Sequence, residues 1–231
     1  MNTPEEPQSL LICLKAARAN LMPGLIIQGL MLGLVLAYYR FEPVRQTLNL
    51  LALQKQQWGY GFTVLISVFA GALLPEVLKI CFFQKGSIRL ENFREFAFGM
   101  IFWAILGCSV DTLYRFQGAW FGSTPSFAVL AKKVAVDQFI YNPIYAAPVT
   151  VWAYEWKNSH YTLTGISGWF TPRYYRVKVL PTLIATWGVW FPVVTIIYSL
   201  PPLLQIPLFG LALSFWVLLV TYINAKKKKS L

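Results

Sequence analysis

The chain has 231 residues, of which 57% are hydrophobic and 13% are charged, and its mean hydropathy is +0.53. Soluble domains carry about 25% charged residues, so this composition excludes an ordinary soluble domain and predicts an integral membrane protein whose surroundings are the lipid bilayer. The net charge of +11 comes from basic residues in the gaps between apolar segments, which is typical of membrane topology and argues against nucleic-acid binding.

The N-terminal part predicts a surface helix followed by a membrane span. Residues 9–20, SLLICLKAARAN, place Lys15 and Arg18 among leucines, a pattern typical of a short helix lying in the membrane interface. Residues 21–39 are long and apolar enough to cross the bilayer. We assign both elements to residues 1–57 of a single membrane domain that covers residues 1–231.

Five further apolar segments follow, at residues 58–83, 93–113, 129–154, 177–200 and 203–224. Together they predict an all-α, polytopic helical bundle of about six membrane helices, or five if the first lies only in the interface. Prolines inside several segments predict kinked helices. In this interpretation residues 58–225 form the main bundle, and residues 226–231 form a basic cytoplasmic tail.

The basic residues predict which end of each helix faces the cytoplasm. With both termini inside, thirteen of the 20 lysines and arginines fall on the cytoplasmic side and six on the other, while Lys79 lies within a segment. Because basic residues favour the cytoplasmic side, this division predicts that both termini are cytoplasmic. Lys132 and Lys133 run against the trend, since they fall on the opposite side.

No pattern in the chain indicates an enzyme or a metal site. Cys13, Cys81 and Cys108 are isolated from one another, and His160 is the single histidine, within a polar and aromatic loop predicted at residues 155–176. Metal sites and most membrane enzymes need several such ligating or acid–base side chains close together. We therefore predict no enzymatic activity, no metal and no cofactor.

Two acidic residues within apolar segments have a basic residue at helical spacing. Charged groups are costly in the hydrocarbon region, so they are expected to face a partner, the bundle interior or water. Glu76 lies three residues before Lys79, and Asp111 lies four residues before Arg115. Both spacings predict ion pairs on one face of a helix.

A third acid lies in the stretch KKVAVDQFIYNP, residues 132–143. Asp137 and Gln138 are adjacent, Asn142 and Pro143 follow, and Lys133 precedes the acid in the weaker orientation for a pair. Prolines expose carbonyl groups that neighbouring helices or water must satisfy. Two interpretations stay open: the polar face lines a water-filled path or small-solute site, or it binds backbone groups of neighbouring helices.

The segment at residues 177–200 supplies matching polar groups. It reads VKVLPTLIATWGVWFPVVTIIYSL, and its threonines can satisfy carbonyls freed by its prolines. If the path exists, we expect Asp137, Gln138 and Asn142 to face side chains of this segment. The candidates are Thr186, Thr195 and Tyr198.

These two segments resemble the signatures of the Mpv/PMP family, which comprises small membrane proteins of peroxisomes, their mitochondrial inner-membrane relatives and bacterial homologues. In that family a lysine pair precedes a helix carrying Asp-Gln, with a proline five residues after the glutamine. The matching residues here are Lys132, Lys133, Asp137, Gln138 and Pro143. The stretch TWGVWFP is similar to the second signature, whose matching residues are Trp187, Trp190 and Pro192, with Pro202 at the later proline.

The chain departs from the family pattern at several polar positions. Thr186 stands where the family has an asparagine, and Val194 and Ile197 stand where it has a glutamine and another asparagine. The aromatic and proline framework is therefore kept, while much of the polar lining is lost. The span at residues 21–39 also lies outside the usual family pattern.

The resemblance implies a compact helical bundle with Asp137 and Gln138 at its centre. It implies a small-solute channel or a membrane-homeostasis factor, and it leaves open a homo-oligomer. The alternative is a non-transporting structural or partner-binding protein whose intramembrane polar residues only stabilise helix packing. Because no Arg- and Ser-rich presequence opens the chain, we expect a diverged bacterial member in the cytoplasmic membrane, with an organelle membrane as the alternative.

Overall fold

The computed structural model describes residues 6–124, 126–163 and 166–229, and the side chains of residues 21–219 within those ranges, apart from Ser167. All regular structure in the described ranges is helical. The predicted all-α membrane bundle is therefore confirmed as a fold class. The basic tail at residues 226–231 lies outside the described side chains.

Seven helices account for almost all of the described chain. Most are α-helical throughout, but α3, α5 and α6 each contain a π-helical stretch, at Phe69–Leu73, Asp137–Ala146 and Tyr175–Val179 respectively. The seven are α1 (Glu6–Arg40), α2 (Glu42–Trp58), α3 (Tyr60–Phe83), α4 (Leu90–Phe121), α5 (residues 127–158), α6 (Pro172–Tyr198) and α7 (Pro202–Lys229).

Helices α1 and α6 form the most extensive packed pair and run in the same direction. The Gln28 side chain donates to the Gly188 carbonyl at 3.1 Å, and eleven residues further along α1 the Tyr39 hydroxyl donates to the Ser199 carbonyl at 3.1 Å. Residue numbers thus rise together along the pair. The C-terminal ends of both helices lie at one end of the bundle.

Helices α3 and α4 run antiparallel. The hydroxyls of Tyr60 and Thr112 lie 2.9 Å apart, whereas the Asn92 amide donates to the Glu76 carboxylate at 2.7 Å. The start of α3 therefore meets the last third of α4, and the last third of α3 meets the start of α4. Helix α4 runs in the same direction as α1 and α6.

Helix α5 traverses the bundle in the opposite direction to α4. Near one end the Gln117 amide donates to the Lys133 carbonyl at 3.3 Å, and near the other the Lys157 ammonium donates to the Glu95 carboxylate at 2.6 Å. Glu95 and Gln117 are roughly 33 Å apart along α4, at 1.5 Å per residue. The segment that the sequence predicts at residues 129–154 thus spans a membrane-sized distance.

Five helices are long and apolar enough to cross a membrane: Leu21–Arg40, Tyr60–Phe83, Leu90–Phe121, Pro172–Tyr198 and Pro202–Leu219. They correspond to five of the six predicted segments. The sixth, in α5, is less apolar because it carries the lysine pair and the Asp-Gln-Asn face. Counting α5, six helices alternate in direction, so α1 begins at the end of the bundle where α7 finishes.

Three predicted boundaries are wrong. The interfacial helix at residues 9–20 is not separate, since α1 continues from Glu6 to Arg40. Residues 42–58, for which the sequence analysis predicts no helix, form α2, which begins and ends at the same end of the bundle and therefore lies across it. The loop predicted at residues 155–176 is shorter, because α5 reaches Asn158 and α6 begins at Pro172.

The apolar core lies where α1, α6 and α7 meet. Ile27, Met31, Val193, Ile197 and Leu204 are each at most 1% exposed. Close approach elsewhere uses single glycines: a Cβ at Gly107 would overlap the Ser67 side chain, and one at Gly71 would overlap the Trp103 ring. These contacts bring α3 against α4 and fix the level at which the acid-bearing part of α4 lies.

Candidate functional site

Asp137 lies at the contact between α5 and α6 and is 5% exposed. The Tyr198 hydroxyl donates to one carboxylate oxygen at 2.6 Å, and the Gln138 amide donates to the other at 2.8 Å. The structure thus brings together Asp137, Gln138 and Tyr198, as the sequence predicts. The weak pair predicted with Lys133 is not formed, and within the described ranges Asp137 has no lysine or arginine at ion-pair distance.

The π-helical stretch Asp137–Ala146 puts the polar residues on one face. A π-helix bonds residue i to residue i+5, so residues four and five apart project in similar directions. The Asn142 amide lies 3.5 Å from the Gln138 carbonyl oxygen, and Tyr141 shares a 2.7 Å hydrogen bond with Ser109 of α4. One turn of α5 therefore presents an acid, two amides and a phenol towards its neighbours.

Prolines of this region expose carbonyls that receive donors from other helices. Pro143 cannot donate to Gln138, five residues earlier, and the Trp187 indole donates to that carbonyl at 3.0 Å. Pro148 likewise cannot donate to Pro143, and the Tyr175 hydroxyl donates to the Pro143 carbonyl at 2.9 Å. The framework residues Pro143 and Trp187 therefore act as a pair.

The same compensation occurs on α6. Pro192 cannot donate to the Gly188 carbonyl four residues earlier, and the Gln28 amide of α1 donates to it at 3.1 Å. The sequence analysis missed Gln28, a single amide within the apolar segment at residues 21–39. Its position in a proline-free stretch of α1 is the signal that it satisfies a partner helix.

A cavity of about 300 Å³ adjoins the polar face of α5. Polar groups on its wall come from α5 and α6: Asp137, Gln138, Asn142, Thr150, Thr182 and Thr186. Its aromatic wall comes from α4 to α7: Trp103, Tyr114, Tyr141, Trp190, Phe209 and Trp216. From Asp137 to Thr150 along α5 is roughly 20 Å at 1.5 Å per residue, so the cavity is elongated along the bundle.

Of the two threonines predicted for the site, Thr186 lies at the cavity and Thr195 does not. Thr186 lies on the cavity wall, and its hydroxyl donates to the Thr182 carbonyl at 2.8 Å. Thr195 does not belong to the site: it donates to the Phe191 carbonyl at 2.8 Å on a more exposed part of α6. The prediction for Thr195 is wrong because it is nine residues beyond Thr186, half a helical turn out of register.

Only some of the residues that match the family motifs lie at the site. Lys132 is exposed, whereas Lys133 is buried with its ammonium 6.0 Å from the centre of the Tyr198 ring, within cation–π range. Trp190 lies on the cavity wall and packs on Phe209, with ring centres 5.6 Å apart. Pro202 begins α7 at the end of the bundle.

Both predicted ion pairs form, and each includes a partner that the sequence did not reveal. Lys79 lies 3.8 Å from Glu76, which also accepts from Asn92. Arg115 donates to Asp111 at 3.1 Å, but Asp111 also binds the buried ammonium of Lys55 from α2.

Lys55 is held by a complete set of acceptors. Besides Asp111, its ammonium donates to the Thr63 hydroxyl at 2.6 Å and to the Gly59 carbonyl at 2.9 Å. Burial lowers the pKa of Lys55 from its ordinary value, and the hydrogen bond to Asp111 opposes that shift. Three acceptors match the three ammonium protons, and this cluster fastens α2 to α3 and α4.

A second cavity of about 290 Å³ lies beside this cluster, with Lys55, Arg115, Gln205 and Pro202 on its wall. Tyr114 lies on the walls of both cavities. Its ring packs edge-on against Tyr198, with ring centres 4.9 Å apart. The Tyr114–Tyr198 pair therefore stands between the end of the bundle that α2 covers and the Asp137 cavity.

In the described part of the chain, no group of three or more His, Cys, Asp or Glu side chains could hold a metal ion. His160 is exposed and adopts a positive φ of 55° in the α5–α6 connection.

Comparisons with known proteins do not identify a family for this chain. A scan against protein-family models, a search of curated proteins and a search of solved structures each returned no match. The resemblance to the Mpv/PMP family therefore depends on the two motifs alone. The fold shows a multi-helix integral membrane protein with a cavity whose wall includes Asp137, Gln138 and Asn142.

Proposed function

We propose that this membrane protein binds a small solute in the Asp137 cavity and lets it pass through the bundle, as a channel or transporter of the Mpv/PMP type. The observation that carries the proposal is the elongated cavity with Asp137, Gln138 and Asn142 on its wall. Intramembrane ionisable residues commonly mark solute paths.

The second cavity supports an entry route. It lies beside the Lys55–Asp111–Arg115 cluster, and Tyr114 belongs to both walls. A solute entering from this end would pass the Tyr114–Tyr198 contact before it reaches Asp137. In this proposal the two tyrosine rings form the constriction between an outer and an inner compartment.

The test is solute flux through reconstituted vesicles. Vesicles containing the protein should equilibrate small polar solutes faster than empty vesicles, Tyr114→Ala should increase the rate by widening the constriction, and Asp137→Asn should change which solutes pass. Thr195→Val is the matched control, because Thr195 lies off the cavity. If vesicles with the protein stay as tight as empty ones, and no variant alters this, the transport proposal is refuted.

A second candidate, a non-transporting structural or partner-binding protein, is favoured by a separate observation. Both oxygens of Asp137 already accept hydrogen bonds, and Trp187 and Tyr175 bind freed carbonyls of α5. Under this alternative, Tyr198→Phe lowers the melting temperature in detergent and changes no flux. Tyr114 is buried in the core, so Tyr114→Ala is expected to lower the melting temperature under both candidates. Only transport predicts that it also increases solute flux.

The proposed location is a bacterial cytoplasmic membrane with both ends of the chain on the cytoplasmic side. The alternating helices support it, because the start of α1 and the finish of α7 lie at the same end of the bundle. The experiment is a pair of reporter fusions at the chain termini, one active only in the cytoplasm and one active only outside it. Opposite reporter activity at the two termini would contradict the arrangement.

A further inference from the structure

The charge on the wall of the Asp137 cavity is opposite in sign to that of the chain. The chain has a net charge of +11, yet of the described side chains on this wall only Asp137 is charged. Neither Lys55 nor Lys133 lies on this wall: Lys55 is bound by its three acceptors, and the Lys133 ammonium lies 6.0 Å from the centre of the Tyr198 ring. The described cavity wall therefore carries a negative charge, although the protein as a whole is basic.

Asp137 keeps acceptor capacity that its neighbours do not use. Its two donors, Tyr198 and Gln138, are both neutral and supply one hydrogen bond to each oxygen. A carboxylate offers about four lone-pair positions, so about two stay available. Asp111 shows the contrast, because two cations and a threonine surround that carboxylate.

The aromatic side chains on the cavity wall suit a ligand that carries a cationic group and an apolar group. Trp103, Trp190 and Trp216 lie on the wall with Tyr141 and Phe209. Indole and phenol faces attract cations held within about 6 Å and also cover apolar groups. A volume of about 300 Å³ is at the lower limit for ligand cavities, so the ligand is small.

We propose that the cavity selects small organic cations, with an ammonium group against Asp137 and a compact apolar body against the tryptophan wall. The inference rests on the proposed function, since it names the class of solute that the same cavity takes. Small anions are disfavoured because no cation lies on the described wall to pair with them. Neutral isosteres keep the apolar contacts but lose the charge-assisted hydrogen bond to the carboxylate.

The experiment compares three probes that share one apolar body: benzylammonium, benzyl alcohol and benzoate. Binding to the full chain in detergent is measured by titration calorimetry, with tryptophan fluorescence as a second readout. We expect benzylammonium to bind at least about tenfold more tightly than benzyl alcohol, since hydrogen bonds to charged groups are the stronger ones. Benzoate should bind most weakly.

Asp137→Asn should remove the preference for benzylammonium and leave the affinity for benzyl alcohol nearly unchanged, while Thr195→Val should change neither. If Asp137→Asn does not fold, Thr186→Lys replaces it, because a lysine on the cavity wall would compete for Asp137 and abolish benzylammonium binding. Loss of the benzylammonium preference in either variant supports the inference.

The outcomes separate the two proposals. If all three probes bind equally, or benzylammonium keeps its advantage in Asp137→Asn, the organic-cation inference is overturned while the solute cavity stands. If no probe binds and vesicles stay tight to every solute, the proposed function itself fails.

Discussion

The Trp187–Pro143 pair gives the sharpest test of how this bundle tolerates proline. Replacing Trp187 with phenylalanine removes the indole N–H that reaches the Gln138 carbonyl at 3.0 Å. Leaving a buried carbonyl unsatisfied costs about 1–3 kcal/mol, and interhelical hydrogen bonds measured within membranes contribute about 0.6–1.7 kcal/mol. We expect Trp187→Phe to reduce the free energy of unfolding by about 0.6–3 kcal/mol, a range that covers both values and includes the lost packing against Phe139.

A double-mutant cycle isolates the hydrogen bond from the packing. In Pro143→Ala the new backbone N–H can donate to Gln138, as the N–H of Ala147 does to Asn142 in the same π-helical stretch. Trp187→Phe should therefore cost about 0.6–1.7 kcal/mol less in the Pro143→Ala background than in the natural chain. Packing losses are equal in both backgrounds and cancel.

The assay is reversible unfolding in mixed micelles as the SDS fraction rises. Trp120→Phe is the matched control, because Trp120 is 71% exposed on the bundle surface and its indole donates no hydrogen bond among the described contacts. It should change the free energy of unfolding by less than about 0.5 kcal/mol. Equal costs for Trp187→Phe in the two backgrounds would refute the idea that Trp187 replaces the donor missing from proline.

Two further predictions concern other helix contacts. Gln28→Met should reduce the free energy of unfolding by about 0.6 kcal/mol. The loss should be smaller in the Pro192→Ala background, where the restored N–H satisfies the same carbonyl, and equal losses in both backgrounds would contradict this. Lys55→Met should reduce the free energy of unfolding by about 3 kcal/mol because it breaks a buried pair, whereas Lys79→Met, in a half-exposed pair, should cost less than about 1 kcal/mol. Similar free-energy losses for the two variants in SDS unfolding would show that α2 is not fastened by Lys55.

The long membrane helices could be predicted because hydropathy alone determines them. Five of the six apolar segments coincide with helices that are long and apolar enough to cross a membrane. The separate interfacial helix could not be excluded in this way, because a change of surroundings at residue 20 needs no break in the backbone. No proline or glycine interrupts the chain between residues 9 and 22, so α1 continues.

Helix α2 shows a signal that was present but not used. Pro43 lies in its first turn and Gly59, with a φ of 55°, follows its last residue, which are typical marks of a helix start and end. Leu48 and Lys55, seven residues apart, are both buried. Low hydropathy does not argue against a helix here, because amphipathic helices that lie across a bundle need no high hydropathy.

Side-chain partners from distant segments were beyond the reach of spacing rules. The i, i+4 relation finds Arg115 from Asp111, but Lys55 lies 56 residues earlier and meets Asp111 only after α2 folds across the bundle. Similarly, the donors to the carbonyls freed by Pro143 and Pro192 come from other helices. A sequence shows that a freed carbonyl must be satisfied, whereas the packing of the helices decides which side chain does it.

The two intramembrane aspartates differ in their partners, although each adjoins a cavity. Asp111 has cations from α2 and α4, so its charge is neutralised within the protein. Asp137 has only neutral donors and an adjoining cavity. An intramembrane charge needs a partner or water, and in the proposal above a bound solute is the partner of Asp137. The proposed function therefore depends on Asp137 rather than on Asp111.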